Sequence, residues 1–181
     1  MALFTNGLFP AAGEQGTGGG IIQVKYTLKT SPSSYNGSSF GEIGGLDVSI
    51  TPQSSTNKIL IMSSWSMSSS DGSSLPYPRL RIVRRIGDNS QSFVELEKGD
   101  AGGNRTRCMM GTSPATGSNS QCQPFAFNYI DTPNTTTVCT YMWQAKNYSG
   151  RYFQINGTNT SSDGNVAVAG IATMIAMEFS S

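Results

Sequence analysis

Residues Ile21 to Thr30 read IIQVKYTLKT, an unbroken alternation. Ile22, Val24, Tyr26 and Leu28 fall on one parity, and Gln23, Lys25 and Thr27 on the other. Successive side chains of a β-strand leave opposite faces, so period two marks a half-buried strand. The expectation is a strand that lays Ile22, Val24, Tyr26 and Leu28 against a core.

The same alternation recurs along the chain. LDVSITP turns Leu46, Val48 and Ile50 inward and stops at Pro52, which has no amide hydrogen to give a ladder. KILIMSSWSMSSSDG sets Ile59, Ile61, Trp65 and Met67 on one face before the polar run from Ser68 to Gly72. PRLRIVRRIGD places Leu80, Ile82 and Ile86 inward, with Arg79, Arg81 and Arg85 outward beside Val83. FVELEKGD, PFAFNYI, TTVCTYMWQAK and GRYFQING follow, and the turn formers of DTPNT join the middle two. The closing VAVAGIATMIAMEF is rich in Ala and Met, which favour helix. Yet Ile171, Ile175, Met177 and Phe179 alternate with Ala172, Met174, Ala176 and Glu178, Gly170 interrupts the run, and no capping residue opens it. A mostly buried strand is expected.

Roughly eight to ten short strands without a helix define an all-β fold. The expected architecture is an antiparallel β-sandwich, jelly-roll or Greek-key-like in connection, over residues 21–181. Polar loops at 31–39, 68–78, 99–121 and 157–165 should gather at the ends of the sandwich, where recognition surfaces sit on β-scaffolds. Residues 1–20, MALFTNGLFPAAGEQGTGGG, form an extended N-terminal arm ending in a glycine-rich tether. Leu3, Phe4, Leu8 and Phe9 are its candidate anchors, apolar plugs for pockets on a partner.

Composition narrows function. Of the 181 residues only 13% are charged, against about 25% in an ordinary soluble domain. Such low charge, with abundant Gly, Ser, Thr and Asn, suits extracellular or virion β-proteins. A net charge of +1 gives no electrostatic footprint for nucleic acid. Histidine is absent, which removes Ser-His-Asp and Cys-His catalysis, the usual zinc ligand sets and any histidine pH switch. Glu95 and Glu97 lie on one face of an expected strand and form the candidate carboxylate pair for glycoside cleavage. A solvated charged face is the favoured reading, so neither enzyme nor cofactor is expected.

Cys108, Cys122 and Cys139 have neither the even number of a disulfide scaffold nor CxxC spacing. A Cys108–Cys122 bridge stays open, with three reduced thiols favoured. No apolar run approaches the ~20 residues needed to span a bilayer. The first residues lack the basic region of a secretory signal. Synthesis in a host cytoplasm and release by lysis fit these features.

KGDAGGNRTRC, Lys98 to Cys108, has the glycines and basic residues of a phosphate loop. It lacks the Lys-Ser/Thr pair and the following helix that such a loop needs. Arg105 and Arg107, two apart on one face, are candidates for an anion or glycan contact, or for pairing with Asp100 or an acid of a neighbouring subunit. Six Asn-x-Ser/Thr sequons, at Asn36, Asn104, Asn134, Asn147, Asn156 and Asn159, are read as polar turn and edge residues. Among the aromatics, Tyr35, Tyr77 and Tyr148 stand in loop contexts and are candidate glycan contacts.

In their order, Ile50-Thr51-Pro52 before Lys58-Ile59-Leu60, Gly103 to Arg107, Asp131-Thr132-Pro133 and Met177-Glu178 resemble a β-rich module of tailed phages. The module is notable in marine and cyanobacterial phages, in tail fibres and other virion appendages. The resemblance spans Ile21 to Phe179. It implies a non-enzymatic virion protein, a homotrimer, whose other partners are tail or major capsid proteins and a host surface glycan. A small tail-fibre or tail-tip knob is the first expectation, and a capsid decoration (cement) protein the alternative. A carbohydrate-binding module of a cellular enzyme is the alternative from another class.

Overall fold

The computed structural model describes residues 20–69, 78–111, 122–147, 152–158 and 170–180. Eleven strands are described: Ile21–Lys29 (β1), Ser33–Tyr35 (β2), Gly41–Ile50 (β3), Lys58–Ser69 (β4), Arg79–Ile86 (β5), Val94–Glu95 (β6), Met110–Gly111 (β7), Cys122–Asp131 (β8), Cys139–Lys146 (β9), Phe153–Ile155 (β10) and Ala172–Phe179 (β11). Among the described residues there is no helix. The ambiguous C-terminal segment is a strand, as its alternation predicts.

In one sheet β1, β11, β4 and β8 lie side by side, with β10 and β2 extending it along the upper half of β4. The other sheet runs β3, β9, β5 and then β6 and β7. Every pairing is antiparallel. The long strands β1, β3, β4, β5, β8, β9 and β11 alternate between the two sheets along the chain. With β6 beside β5, the neighbour order β1-β11-β4-β8 facing β3-β9-β5-β6 is that of a jelly roll, two Greek keys wrapped face to face.

Trp143 of β9 centres the core, fully buried. Its ring lies 5.2 Å from that of Trp65 on β4 and meets Phe127 of β8 edge-on at 5.5 Å. Its indole nitrogen donates to Ser63 Oγ at 3.0 Å, so the one polar atom of the ring is satisfied across the sandwich. Leu46, Val48 and Ile50 of β3 and Ile59, Ile61, Trp65 and Met67 of β4 face inward as their alternation predicts. So do Leu80 and Ile82 of β5, whereas Ile86 is only partly buried. Within β3 the ladder to β9 breaks between Glu42 and Asp47, and Gly45 there has φ +78°, a left-handed bulge position that favours glycine.

The expectation for β1 fails. Val24, Tyr26 and Leu28 point away from the core, with Tyr26 72% exposed. The β1–β11 register explains it. Gln23 stands opposite Glu178, after a bulge at Ile21–Gln23, and its amide donates to Glu178 Oε2 at 2.5 Å and to the Thr51 carbonyl at 2.7 Å. Holding Gln23 inward turns the other parity outward, because a strand's faces alternate residue by residue. In β11, likewise, Ala172, Met174, Ala176 and Glu178 face the core, leaving Ile175, Met177 and Phe179 half-buried on the outside.

The two outer faces of the sandwich therefore differ. Val24, Met177, Leu60 and Ile130 line up across β1, β11, β4 and β8, with Tyr26, Ile175 and Met62 in the next row, which ends at Asn128 on β8. On the other sheet, Arg81 pairs with Glu95, donates to Gln144 at 2.9 Å and covers the Phe40 ring at 4.0 Å. Arg85 covers the Phe93 ring at 4.7 Å and bonds Asn89. One outer face is apolar and the other is the usual solvated, charged face of an antiparallel sheet.

Candidate functional site

Strand direction divides the molecule into two poles. At one, Lys29 pairs with Ala172, Gly41 with Ala145, Ser68 with Cys122, and Arg79 with both Gly111 and Lys146. The chain leaves and re-enters the described structure at this pole around residues 70–77, 112–121, 148–151 and 159–169. At the opposite pole Ile50 and Ile86 both pair with Cys139, Ile59 pairs with Asp131, and the Ser180 amide donates to the Gly20 carbonyl at 3.3 Å. Residues 1–19 join there. The predicted anchors Leu3, Phe4, Leu8 and Phe9 lie outside the described residues, as do Tyr77 and Tyr148.

Tyr35 lies at the first pole on β2. Its ring packs 5.6 Å from Phe153, and its hydroxyl donates to the Ser39 carbonyl at 2.9 Å. A side chain at Gly37 or Gly41 would collide with that hydroxyl, so both glycines make room for it. Burial pushes the phenol above its ordinary range, and a backbone hydrogen bond at Gly41 partly offsets this.

The Lys98–Cys108 segment is a turn at the edge of the second sheet. The Gly99 amide donates to the Cys108 carbonyl at 3.2 Å and the Arg105 amide to the Gly102 carbonyl at 3.2 Å. Arg105 and Arg107 are exposed, and Arg107 Nε donates to the Gly99 carbonyl at 2.8 Å, bracing its own loop. Glu95 is tied to Arg81 and Lys98. Burial raises its carboxyl, but the bonds from Lys98 and Arg81 outweigh it and hold the group below its ordinary value. It is therefore ionised at neutral pH and unsuited to proton donation. Between Glu97 and β8 lies a shallow cleft of about 190 Å³, lined by Glu97, Lys98, Gly99, Met109, Phe127 and Tyr129. That falls short of the ~300 Å³ at which ligand pockets begin. No group of three metal-ligating side chains occurs among the described residues.

Two buried carboxylates are missed by alternation alone. Glu178 and Asp131 stand on either side of Ile59 on the inner face. Glu178 takes hydrogen bonds from Asn57 Nδ2 at 2.6 Å, from the Gln53 amide at 2.7 Å and from Gln23. Burial raises its carboxyl, and these donors outweigh burial and leave it below its ordinary value. Asp131 accepts from Tyr141 and Arg84 on the facing sheet. Asp131-Thr132-Pro133, Met177-Glu178 and Ile50-Thr51-Pro52, separate markers in the sequence, thus converge on one pole. For Asp131 the available signal was an acid beside the Thr132-Pro133 turn, and it reports packing.

The cysteines are free, so no Cys108–Cys122 bridge forms. The sequons split. Asn134 has φ 54° in the β8–β9 turn, but Asn147 and Asn156 are fully buried and are not edge residues. Asn156, with φ 60°, receives the Gly170 amide on its carbonyl at 2.7 Å and donates its side chain to the Lys29 carbonyl at 3.0 Å.

No family model and no curated protein matches this chain. Among solved structures, the infectious bursal disease virus Gx strain structure is similar at 13% identity and TM-score 0.34, covering 87% of this chain. The match spans 38% of that viral chain. The CBM22-1 xylan-binding domain of Paenibacillus barcinonensis Xyn10C is similar at 8% identity and TM-score 0.34, covering 90% of this chain and 97% of that domain. Likeness at this level carries no functional assignment.

Proposed function

We propose that this chain is a non-enzymatic structural protein of a tailed-phage virion, a jelly-roll knob attached by residues 1–20 and assembled as a homotrimer. It serves as a small tail-fibre or tail-tip appendage and resides in the virion. One observation supports this most: the arm joins at Gly20, beside Ser180, while the Ser-, Gly- and Asn-rich connections leave from the opposite pole. Attachment at one pole and presentation at the other is the arrangement an appendage needs. The ligand for the outward pole is a host surface glycan, met by the segments carrying Tyr77 and Tyr148, with Arg105 and Arg107 available at the sheet edge.

Phage particles carrying the chain without residues 1–20 test it. The truncated knob should fold but be missing from purified particles. Normal incorporation contradicts attachment through the arm. Copy number separates the appendage from capsid decoration: a few to some tens per particle fit an appendage, and hundreds fit cement.

A further inference from the structure

Four strands give this molecule an outer face that water should not see. On β1, Val24 is 47%, Tyr26 72% and Leu28 53% exposed, and Ile130 on β8 is 55% exposed. Half-buried Leu60, Met62, Ile175 and Met177 fill the space between them. No charged side chain stands in the two rows that begin at Val24 and Tyr26; the charged margin begins at Lys58, opposite Phe179. The apolar field is on the order of 600 Å², at the upper end of what a free monomer shows (~300–600 Å²) and near the ~800 Å² each partner contributes to a stable complex.

The molecule carries its own control. The outer face of the second sheet, built from the same kind of antiparallel strands, is covered by arginines, glutamate and amides in hydrogen-bonded pairs. An antiparallel sheet with one wet face alternates apolar and polar, as that sheet does. The outer face of the first sheet is instead apolar along the row from Val24 to Ile130, the pattern of a sheet face that is covered.

We infer that the outer face of β1, β11, β4 and β8 is the contact surface between copies of this chain. The occupant follows from shape, chemistry and size. The face is a four-stranded sheet surface whose apolar rows run in register from β1 to β8. It has no charge to select a partner of opposite sign. The surface that matches it best is a second apolar sheet, packed at about 10 Å. A closed assembly offers that match by symmetry, the same patch serving every subunit. The inference rests on the homotrimeric assembly proposed above and deepens it by naming the contact surface, which is argued from the exposed rows themselves.

Sedimentation of the purified full chain over a dilution series is the test, with the double variant Tyr26→Lys/Ile175→Lys and the opposite-face control Asp47→Lys. The native chain and the control should sediment at two or three times 19.2 kDa. The double variant should run at 19.2 kDa, its dissociation constant raised about a hundredfold or more. Both replaced side chains point out of the core, so the variant should keep the native far-ultraviolet spectrum. A native chain that stays monomeric at tens of micromolar overturns the inference whatever the variants do, and leaves the face to a foreign protein. A folded double variant that remains fully oligomeric overturns it as well. Neither result bears on whether residues 1–20 attach the knob.

Discussion

The Tyr141 hydroxyl lies 2.6 Å from Asp131 Oδ2, and so binds one sheet of the sandwich to the other. Arg84, directly opposite Tyr141 on the β5–β9 ladder, reaches the same oxygen at 2.6 Å. Asp131 is buried, and its charge is answered by one guanidinium and one phenol. Burial and the Asp131 charge push the phenol far above its ordinary range, so it remains a donor at any working pH.

Removing each partner should cost differently. Tyr141→Phe deletes one hydrogen bond while Arg84 still neutralises Asp131, at about 1–2 kcal/mol. Asp131→Ala leaves a half-buried guanidinium with no counter-charge, at about 3–5 kcal/mol. Urea unfolding of the two variants beside the native chain measures this. Equal costs would mean that the phenol carries the connection.

Glu178 should make the protein acid-sensitive. Its folded carboxyl titrates below the ordinary 4.5, so between the folded and ordinary values the unfolded chain binds more protons. The stabilisation is therefore complete above about pH 4.5 and is lost as pH falls through the lower folded value. Glu178→Gln opposes an amide to the donors Asn57 and Gln53 and should cost about 1–3 kcal/mol at pH 7. The difference from the native chain should shrink as pH falls. A difference that stays constant from pH 7 to pH 3 would assign the cost to shape rather than charge.

These two carboxylates mark the limit of what alternation reveals. Strands β3, β4, β5 and β9 are legible because one parity is apolar and the other polar, and their cores follow. In β1 the alternation is clear but the apolar parity faces out, and in β11 both parities carry non-polar residues, so hydrophobicity alone chooses the wrong face. What decides it is Gln23 meeting Glu178, a pairing across 155 positions that no local pattern contains. Segment 98–108 is the converse case. The missing Lys-Ser/Thr pair and helix already ruled out a phosphate loop, and the structure has a turn braced by Arg107 on Gly99.

Cys139 should be inert in the folded chain. It is fully buried, and burial, the largest influence, pushes its thiol up to about 11. Alkylation at pH 8 followed by peptide mapping should show Cys139 modified only after denaturant is added. Rapid native modification would require the bottom of the sandwich to open near Asp131.

If copies of the chain meet through the outer face of β1, β11, β4 and β8, that face should be covered in the native assembly. Hydroxyl-radical footprinting of Tyr26 in the full-length protein tests it most directly, since this ring is 72% exposed on the isolated chain. Tyr26 should be strongly protected in the native protein and released in the folded Ile175→Lys variant. Oxidation of Tyr26 in the native protein at the rate of a free tyrosine would contradict it.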